Sequence, residues 1–176
     1  MKKSFLSGLF AVILLLTGCS IDKNHTEREP VRIVKINDAL YYEIDEDAHS
    51  HSIDKSAAVT FEKAVDGYEI PQNNNESNFS DGNICYPTDV ENFVAVLVDD
   101  DYELFKKIAL SDEKVGKFKY AVRLDGEVED STNHIEDVEY IVLCNSKEIT
   151  IDDAAKSVFD KKAAENVHII SAKYDD

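Results

Sequence analysis

Apolar residues in this chain fall into short runs that alternate with polar ones, a strand period more often than a helical one. VRIVKI (31–36) and ALYYEI (39–44) flank Asn37-Asp38, a two-residue hairpin turn, and in the second run Leu40, Tyr42 and Ile44 share one face. AAVTFEKAV (57–65) places Val59, Phe61 and Val65 together and stops at Asp66-Gly67. FVAVLV (93–98) is apolar on both faces, as a strand covered on both sides would be. Asp99 to Asp101 then turns the chain into YELFKKI (102–108). Residues 31–108 therefore read as a strand-rich unit of hairpin and meander type.

After a connector at 109–116 (ALSDEKVG), residues 117–176 read as β-β-α-β. KFKYAVRL (117–124) alternates, with Phe118, Tyr120, Val122 and Leu124 inward and Lys117, Lys119 and Arg123 outward. VEYIVLC (138–144) is the next strand. Thr150 suits a helix N-cap, and Asp152 and Asp153 suit the first turn. Ile151, Ala154, Ala155, Val158 and Phe159 follow the spacing of one buried helix face. VHIISAKY (167–174) closes the chain as a strand, expected beside VEYIVLC through a right-handed crossover. The fold class expected is strand-rich α+β.

The remaining apolar run, Phe5 to Leu16, is of a different kind. Its twelve residues follow Met1-Lys2-Lys3 and are broken only by Ser7 and Gly8. A membrane-spanning helix needs ~20 such residues, so the run is too short to cross. A basic start, a short apolar middle and small residues at its end describe a secretory signal peptide. Leu16-Thr17-Gly18-Cys19 resembles the lipobox of bacterial lipoproteins. The resemblance implies a leader at 1–18, cleaved before Cys19, with Cys19 diacylglycerated and its acyl chains in the membrane. More than one chain matters, since a single acyl chain binds only marginally. The protein would face outward from a cell with one membrane. In a cell with two, Ser20 after the cysteine resembles the outer-membrane sorting pattern.

Charge narrows the partners. The whole chain carries −17, and loss of a leader containing Lys2 and Lys3 would leave −19. Such a surface argues against the phosphate backbone of nucleic acid as a partner and against lying flat on anionic lipid. A cationic protein partner is compatible with it. Residues 20–30 (SIDKNHTEREP) read as a polar tether behind Cys19. Eleven flexible residues would span roughly 18 Å root-mean-square. Cys85 and Cys144 can form a disulfide in an exported protein, although Cys144 also reads as a core residue at the end of an apolar run.

The first unit also has a familiar pattern. Val34, Lys35, Asn37, Leu40, Tyr41 and Tyr42, then Gly67, Glu69, Ile70 and Pro71, then Ser77, Asn78 and Phe79, and finally Asp99 and Phe105 carry it. They resemble a domain that recurs in lipoproteins of Gram-positive anaerobes. Asp38 and Asp100 stand where that family favours turn glycines, Ser80 follows Phe79 in place of a glycine, and Tyr102 replaces a tryptophan. The resemblance implies an architecture and a lipoprotein context, and no chemistry, because the family carries no established activity.

Candidate sites are few. The polar loop at 69–83 (EIPQNNNESNFSDGN) is long for a compact domain, which makes Glu69, Pro71, Asn75, Ser77, Asn78 and Phe79 candidates for a recognition surface. The alternative is that Pro71 fixes its entry, Phe79 plugs the core, and Ser77 and Asn78 bond backbone in a local turn. His49-x-His51, beside Asp45, Glu46, Asp47 and Asp54, is a candidate divalent-metal pair, since alternate strand residues share a side. The loop that contains it reads equally as solvated turn. Asp99-Asp100-Asp101 lacks the EF-hand spacing and reads as a charged turn. No nucleophile elbow, HExxH, phosphate-binding glycine loop or CxxC occurs, and no cofactor is implied. A binding lipoprotein is the expectation. The alternatives are an exported hydrolase with a site between the two units, or an inhibitory or immunity-type lipoprotein that blocks a cationic partner.

Overall fold

The computed structural model describes residues 26–129 and 134–174. Cys19, the leader and most of the expected tether lie outside the described residues. Two antiparallel-dominated sheets and few helices make up the fold, which is strand-rich α+β. Among the described residues no helix is long and apolar enough to cross a membrane.

The larger sheet begins with the hairpin of β2 (Ile33–Ile36) and β3 (Ala39–Asp47). Asn37 and Asp38 sit between them at φ 50° and 61°. Both values lie in the left-handed region that a two-residue hairpin loop of this twist requires, and Asn and Asp tolerate it better than other side chains. The same chemistry recurs between β8 (Phe93–Val98) and β9 (Asp101–Lys107), where Asp99 and Asp100 have φ 46° and 71°. β9 pairs with β3, which joins the two hairpins.

The run at 57–65 is not one strand. It divides into β4 (Val59–Thr60) and β5 (Lys63–Ala64), which lie at opposite edges of the sheet. Phe61 turns inward between them, its N–H donating to the Asn83 carbonyl at 2.9 Å while its own carbonyl accepts from Gly82. β4 pairs with β7 (Ile84–Pro87), and β5 pairs in parallel with β6 (Glu76–Ser77), which returns to β2.

The smaller sheet is ordered β1-β10-β11-β12. Its hairpin is β10 (Tyr120–Glu129) with β11 (His134–Cys144). Here the tether reading is corrected, because Glu27–Pro30 forms β1 on the free edge of β10, Glu27 opposite Asp125 and Pro30 opposite Val122. All four side chains are exposed, so no hydrophobic pattern marks the strand, and Pro30 is tolerated because an edge needs no donor there. α1 (Asp112–Val115) bridges the two sheets in sequence.

The expected crossover is also corrected. β12 (Val167–Tyr174) runs antiparallel to β11, with Val167 opposite Cys144. Between them α2 (Ile151–Phe159) is about 13 Å long, whereas β11 extends for roughly 37 Å. The connection leaves and re-enters at the same end of the sheet, and β12 folds back along β11. α2 begins at the expected cap, where Asp153 N–H donates to Thr150 Oγ1 at 3.2 Å and Thr150 N–H to Asp153 Oδ2 at 3.1 Å. Its buried residues are Ile151 and Ala154. Val158 and Phe159, expected to be buried, face solvent instead.

Three apolar clusters order these layers. Between the sheets, Ile33, Leu40, Tyr42, Ile108, Phe118, Ala121, Ile141 and Leu143 form a shared core, with Ile44 packed against it. The outer face of the smaller sheet packs Val122, Leu124, Tyr140 and Val142 against Ile151 and Ala154 of α2. Phe118 and Val122 thus serve opposite sides, although the alternation at 117–124 assigned them to one. The far side of the larger sheet holds Val34, Ile36, Phe61, Val96 and Phe105. Val94, Ala95 and Val96 are all buried, as the two-faced apolar character of that run requires.

Candidate functional site

The loop at 69–83 buries Ile70, Pro71, Glu76, Ser77 and Asn78 and leaves residues 72–74 and 81–82 exposed. Its first residues continue the shared interface, with Ile70 N–H donating to the Lys119 carbonyl and Ala121 N–H to the Tyr68 carbonyl. Glu76 is 6% exposed. Its carboxylate accepts from the N–H groups of Gln72 and Asn73 at 3.2 and 3.1 Å, from Asn73 Nδ2 at 2.9 Å, and from Lys63 Nζ at 3.4 Å. Burial raises the pKa of this carboxyl, but the Asn73 bonds and the Lys63 charge outweigh it and hold it below the usual range. Asn75 takes φ 61° so that its N–H can reach the Lys35 carbonyl at 2.8 Å.

Asn78 is the centre of this arrangement. Its Oδ1 accepts from Ile33 N–H at 2.6 Å, and its Nδ2 donates to the carbonyls of Val31 at 2.8 Å and Gly67 at 2.6 Å. Ser77 Oγ donates to the Ser80 carbonyl. Phe79 stacks on Phe105 with ring centroids 5.9 Å apart, under the Arg32 guanidinium at 5.4 Å. Pro71, Ser77 and Asn78, read as recognition residues, are buried, and the side chains of Ser77 and Asn78 are spent on backbone atoms of the fold. Glu69 is exposed, and Asn75 and Phe79 are half-buried.

The two histidines do not converge. His49 lies in a single 3-10 turn, Ala48–Ser50, so the alternate-residue rule for a strand does not apply. His49 Nε2 is 3.0 Å from Asp101 Oδ1, whereas His51 stacks on Phe93 and sits 3.9 Å from Asp89. Among the described residues no group of three or more His, Cys, Asp or Glu side chains is placed to hold a metal ion, and His49 and His51 have separate carboxylate neighbours. His168 is elsewhere, stacked on Phe118, with burial and then the Lys114 charge lowering its pKa. Cys85 and Cys144 are both buried free thiols in separate clusters.

The feature that sequence reasoning missed is a polar cleft of about 380 Å³ between the two sheets. Glu43, Asp45 and Glu46 come to it from β3, Asp101 and Glu103 from β9, and Arg123, Glu139 and Lys173 from β10, β11 and β12. Arg123, expected outward, faces this cleft because its strand is covered on both sides. Its Nε is 3.6 Å from Glu139 Oε2, is buried, and has no hydrogen-bond partner. Lys173 Nζ reaches the other Glu139 oxygen at 3.6 Å. Arg32 at the rim donates to Glu103 and lies 3.8 Å from Glu43.

Carboxylates outnumber cations here, and burial among like charges raises the pKa of two of them. Burial pushes the Glu43 carboxyl up, Glu103 and Asp45 add to the rise, and Arg32 and Arg123 oppose it. Asp125, next to the cleft, is raised by burial and then by Glu139. Asp101 is lowered by the Tyr102 N–H and by His49. A concave site with uncompensated negative charge favours a cation over a neutral or anionic ligand. The only local clue in the sequence is the acid run at 43–47; the other residues come from four strands up to 130 residues away.

No family model matches this chain, and no curated protein or solved structure matches it.

Proposed function

We propose that this protein is an extracytoplasmic lipoprotein, anchored by acylated Cys19 and facing outward, whose role is to bind a protein partner through a cationic segment. The observation that carries the reading is Leu16-Thr17-Gly18-Cys19 behind a twelve-residue apolar run and a basic start. The run is too short to span, so attachment falls to the cysteine. Recurrence of this domain pattern among lipoproteins of Gram-positive anaerobes is part of the same proposal. The acid-lined cleft supports the binding half. It is polar, open to solvent between two rigid sheets, and negative in a chain that is itself strongly negative.

The test has two arms. Full-length protein and a Cys19→Ala variant are expressed in cells fed labelled palmitate, and the membrane fraction is collected. Label should enter the wild type alone, and the variant should leave the membrane fraction; equal retention with the leader removed would refute the anchor. Asp45 and Glu46 line the cleft and are exposed, so D45K/E46K removes most of the cleft's negative charge at positions outside the core. Partner capture by the wild type should collapse in moderate salt and in this variant, as screened charges require. Capture that ignores both would remove the cleft from the proposal.

A further inference from the structure

Among the described residues nothing covers the apolar pair at the C-terminal end of α2. Phe159 is 91% exposed and Val158 57%. Three observations select what meets them. The first is the path of the chain. Ile151 N–H donates to Thr26 Oγ1 at 3.3 Å and Arg28 Nε to the Ile149 carbonyl at 2.7 Å, so the polypeptide enters the fold beside the start of α2. Six residues lie between Cys19 and Thr26, and the seven steps reach at most about 24 Å. Phe159 lies about 12 Å along the helix from Ile151. An acyl anchor at Cys19 and the Phe159 ring therefore fall within reach of one bilayer surface.

The second observation is the layering. α2 covers the outer face of the smaller sheet, and the larger sheet and acidic cleft lie on the opposite side. The third is charge. From Lys156 to Glu165, Lys156, Lys161 and Lys162 stand against Asp160 and Glu165, a locally positive stretch in a chain of net −17. An exposed aromatic with lysines at the tip of a helix suits the headgroup boundary, where the ring inserts and the ammonium groups meet phosphate.

We propose that the end of α2, with Phe159 and Val158 flanked by Lys156, Lys161 and Lys162, docks on a lipid bilayer that contains anionic headgroups, and thereby turns the acidic cleft away from the membrane. The inference rests on the lipoprotein reading. Two apolar side chains and three lysines bind weakly alone; the anchor makes their contact an intramolecular one, at high effective concentration. The acidic bulk of the protein is then held on the side where it meets no lipid charge.

The chain contains no tryptophan, so Phe159→Trp supplies a single reporter. Full-length protein purified from membranes is placed in vesicles of phosphatidylethanolamine and phosphatidylglycerol. Emission from position 159 should shift to shorter wavelength and be quenched by lipids brominated in their acyl chains. Val90→Trp, in the loop between β7 and β8, should show neither effect. Adding K156E/K161E/K162E to F159W should return emission to its position in water. Water-like emission from an acylated F159W chain overturns the docking and leaves the anchor intact. A shift that appears without vesicles and grows with protein concentration assigns the patch to a second copy, and also overturns it. Intact mass separates the two readings. A chain that proves unacylated refutes the anchor, and joining it through Cys19 to a maleimide lipid in the same vesicles then decides the docking by the same emission criteria.

Discussion

Asn78→Ala should be among the most damaging single substitutions available to this fold. The side chain makes three hydrogen bonds, all to backbone and none to a neighbour in sequence: Ile33 N–H at 2.6 Å, and the carbonyls of Val31 at 2.8 Å and Gly67 at 2.6 Å. Alanine removes all three partners at once. A buried donor left without an acceptor costs about 1–3 kcal/mol, and each carbonyl adds about 1 kcal/mol as a lost net bond. Water entering the vacated space from the Gly67 side lowers the sum, so about 3–4 kcal/mol is expected. Against a total stability of about 5–15 kcal/mol for a domain, that is a large fraction. Urea unfolding followed by far-ultraviolet circular dichroism measures it, provided the slope with denaturant is unchanged. A loss below about 1 kcal/mol would refute the reasoning. Asn78→Asp separates donor from acceptor. It keeps the bond from Ile33 N–H but sets a carboxylate against two carbonyls, which raises the folded-state pKa. The folded form then binds the proton more tightly than the unfolded one, so this variant should recover stability as pH falls. A deficit independent of pH would contradict that account.

Other expectations are more local. Thr150→Ala removes the hydroxyl half of the cap at the start of α2, leaving the Thr150 N–H bond to Asp153, and should lower stability by about 1 kcal/mol, read by the same urea titration. Burial pushes the Cys85 thiol up to about 12 and the Cys144 thiol to about 11; a thiol-disulfide reagent at neutral pH should leave both unmodified until denaturant is added, and fast labelling in the native state would contradict their burial. Glu43→Gln should raise the urea midpoint at neutral pH by a small increment. The folded carboxyl titrates above its ordinary 4.5, so the wild type loses stability as pH rises through that window. The advantage of the variant should be complete above the raised value and vanish below the ordinary one; a constant difference would show that Glu43 is not the crowded carboxyl described.

What was legible in the sequence was local. Asn37-Asp38 and Asp99-Asp100 announce their hairpins because the left-handed turn selects those side chains directly. Thr150 announces α2 because a cap is satisfied within three residues. The strand-rich α+β character follows from the two-residue period. Relations of long range were not legible. Asn78 bonds Ile33 across 45 residues of sequence, and nothing in a polar loop distinguishes that from a side chain in water. Exposed β1 has no apolar face to reveal it. The direction of β12 depends on how far α2 travels along the sheet, which periodicity does not encode. Val158 and Phe159 match a helical stripe, but only Ile151, Ala154 and Ala155 of α2 pack in the sheet's cluster, so tertiary placement overrides the pattern. The cleft was invisible for a related reason. Alternation divides β10 into a wet face and a dry one, whereas both of its faces are covered, and a charged residue on a covered face ends in a polar cavity.

The two-residue strands that close the larger sheet have a further consequence. β4 and β5 are its outermost members, so each side offers only a short stretch of backbone with free N–H and carbonyl groups. An incoming peptide that must extend a sheet by main-chain pairing finds too little template there. Copies crowded within one plane are likewise denied a seam along which to polymerise through this sheet, and any ligand it recognises must be read by side chains.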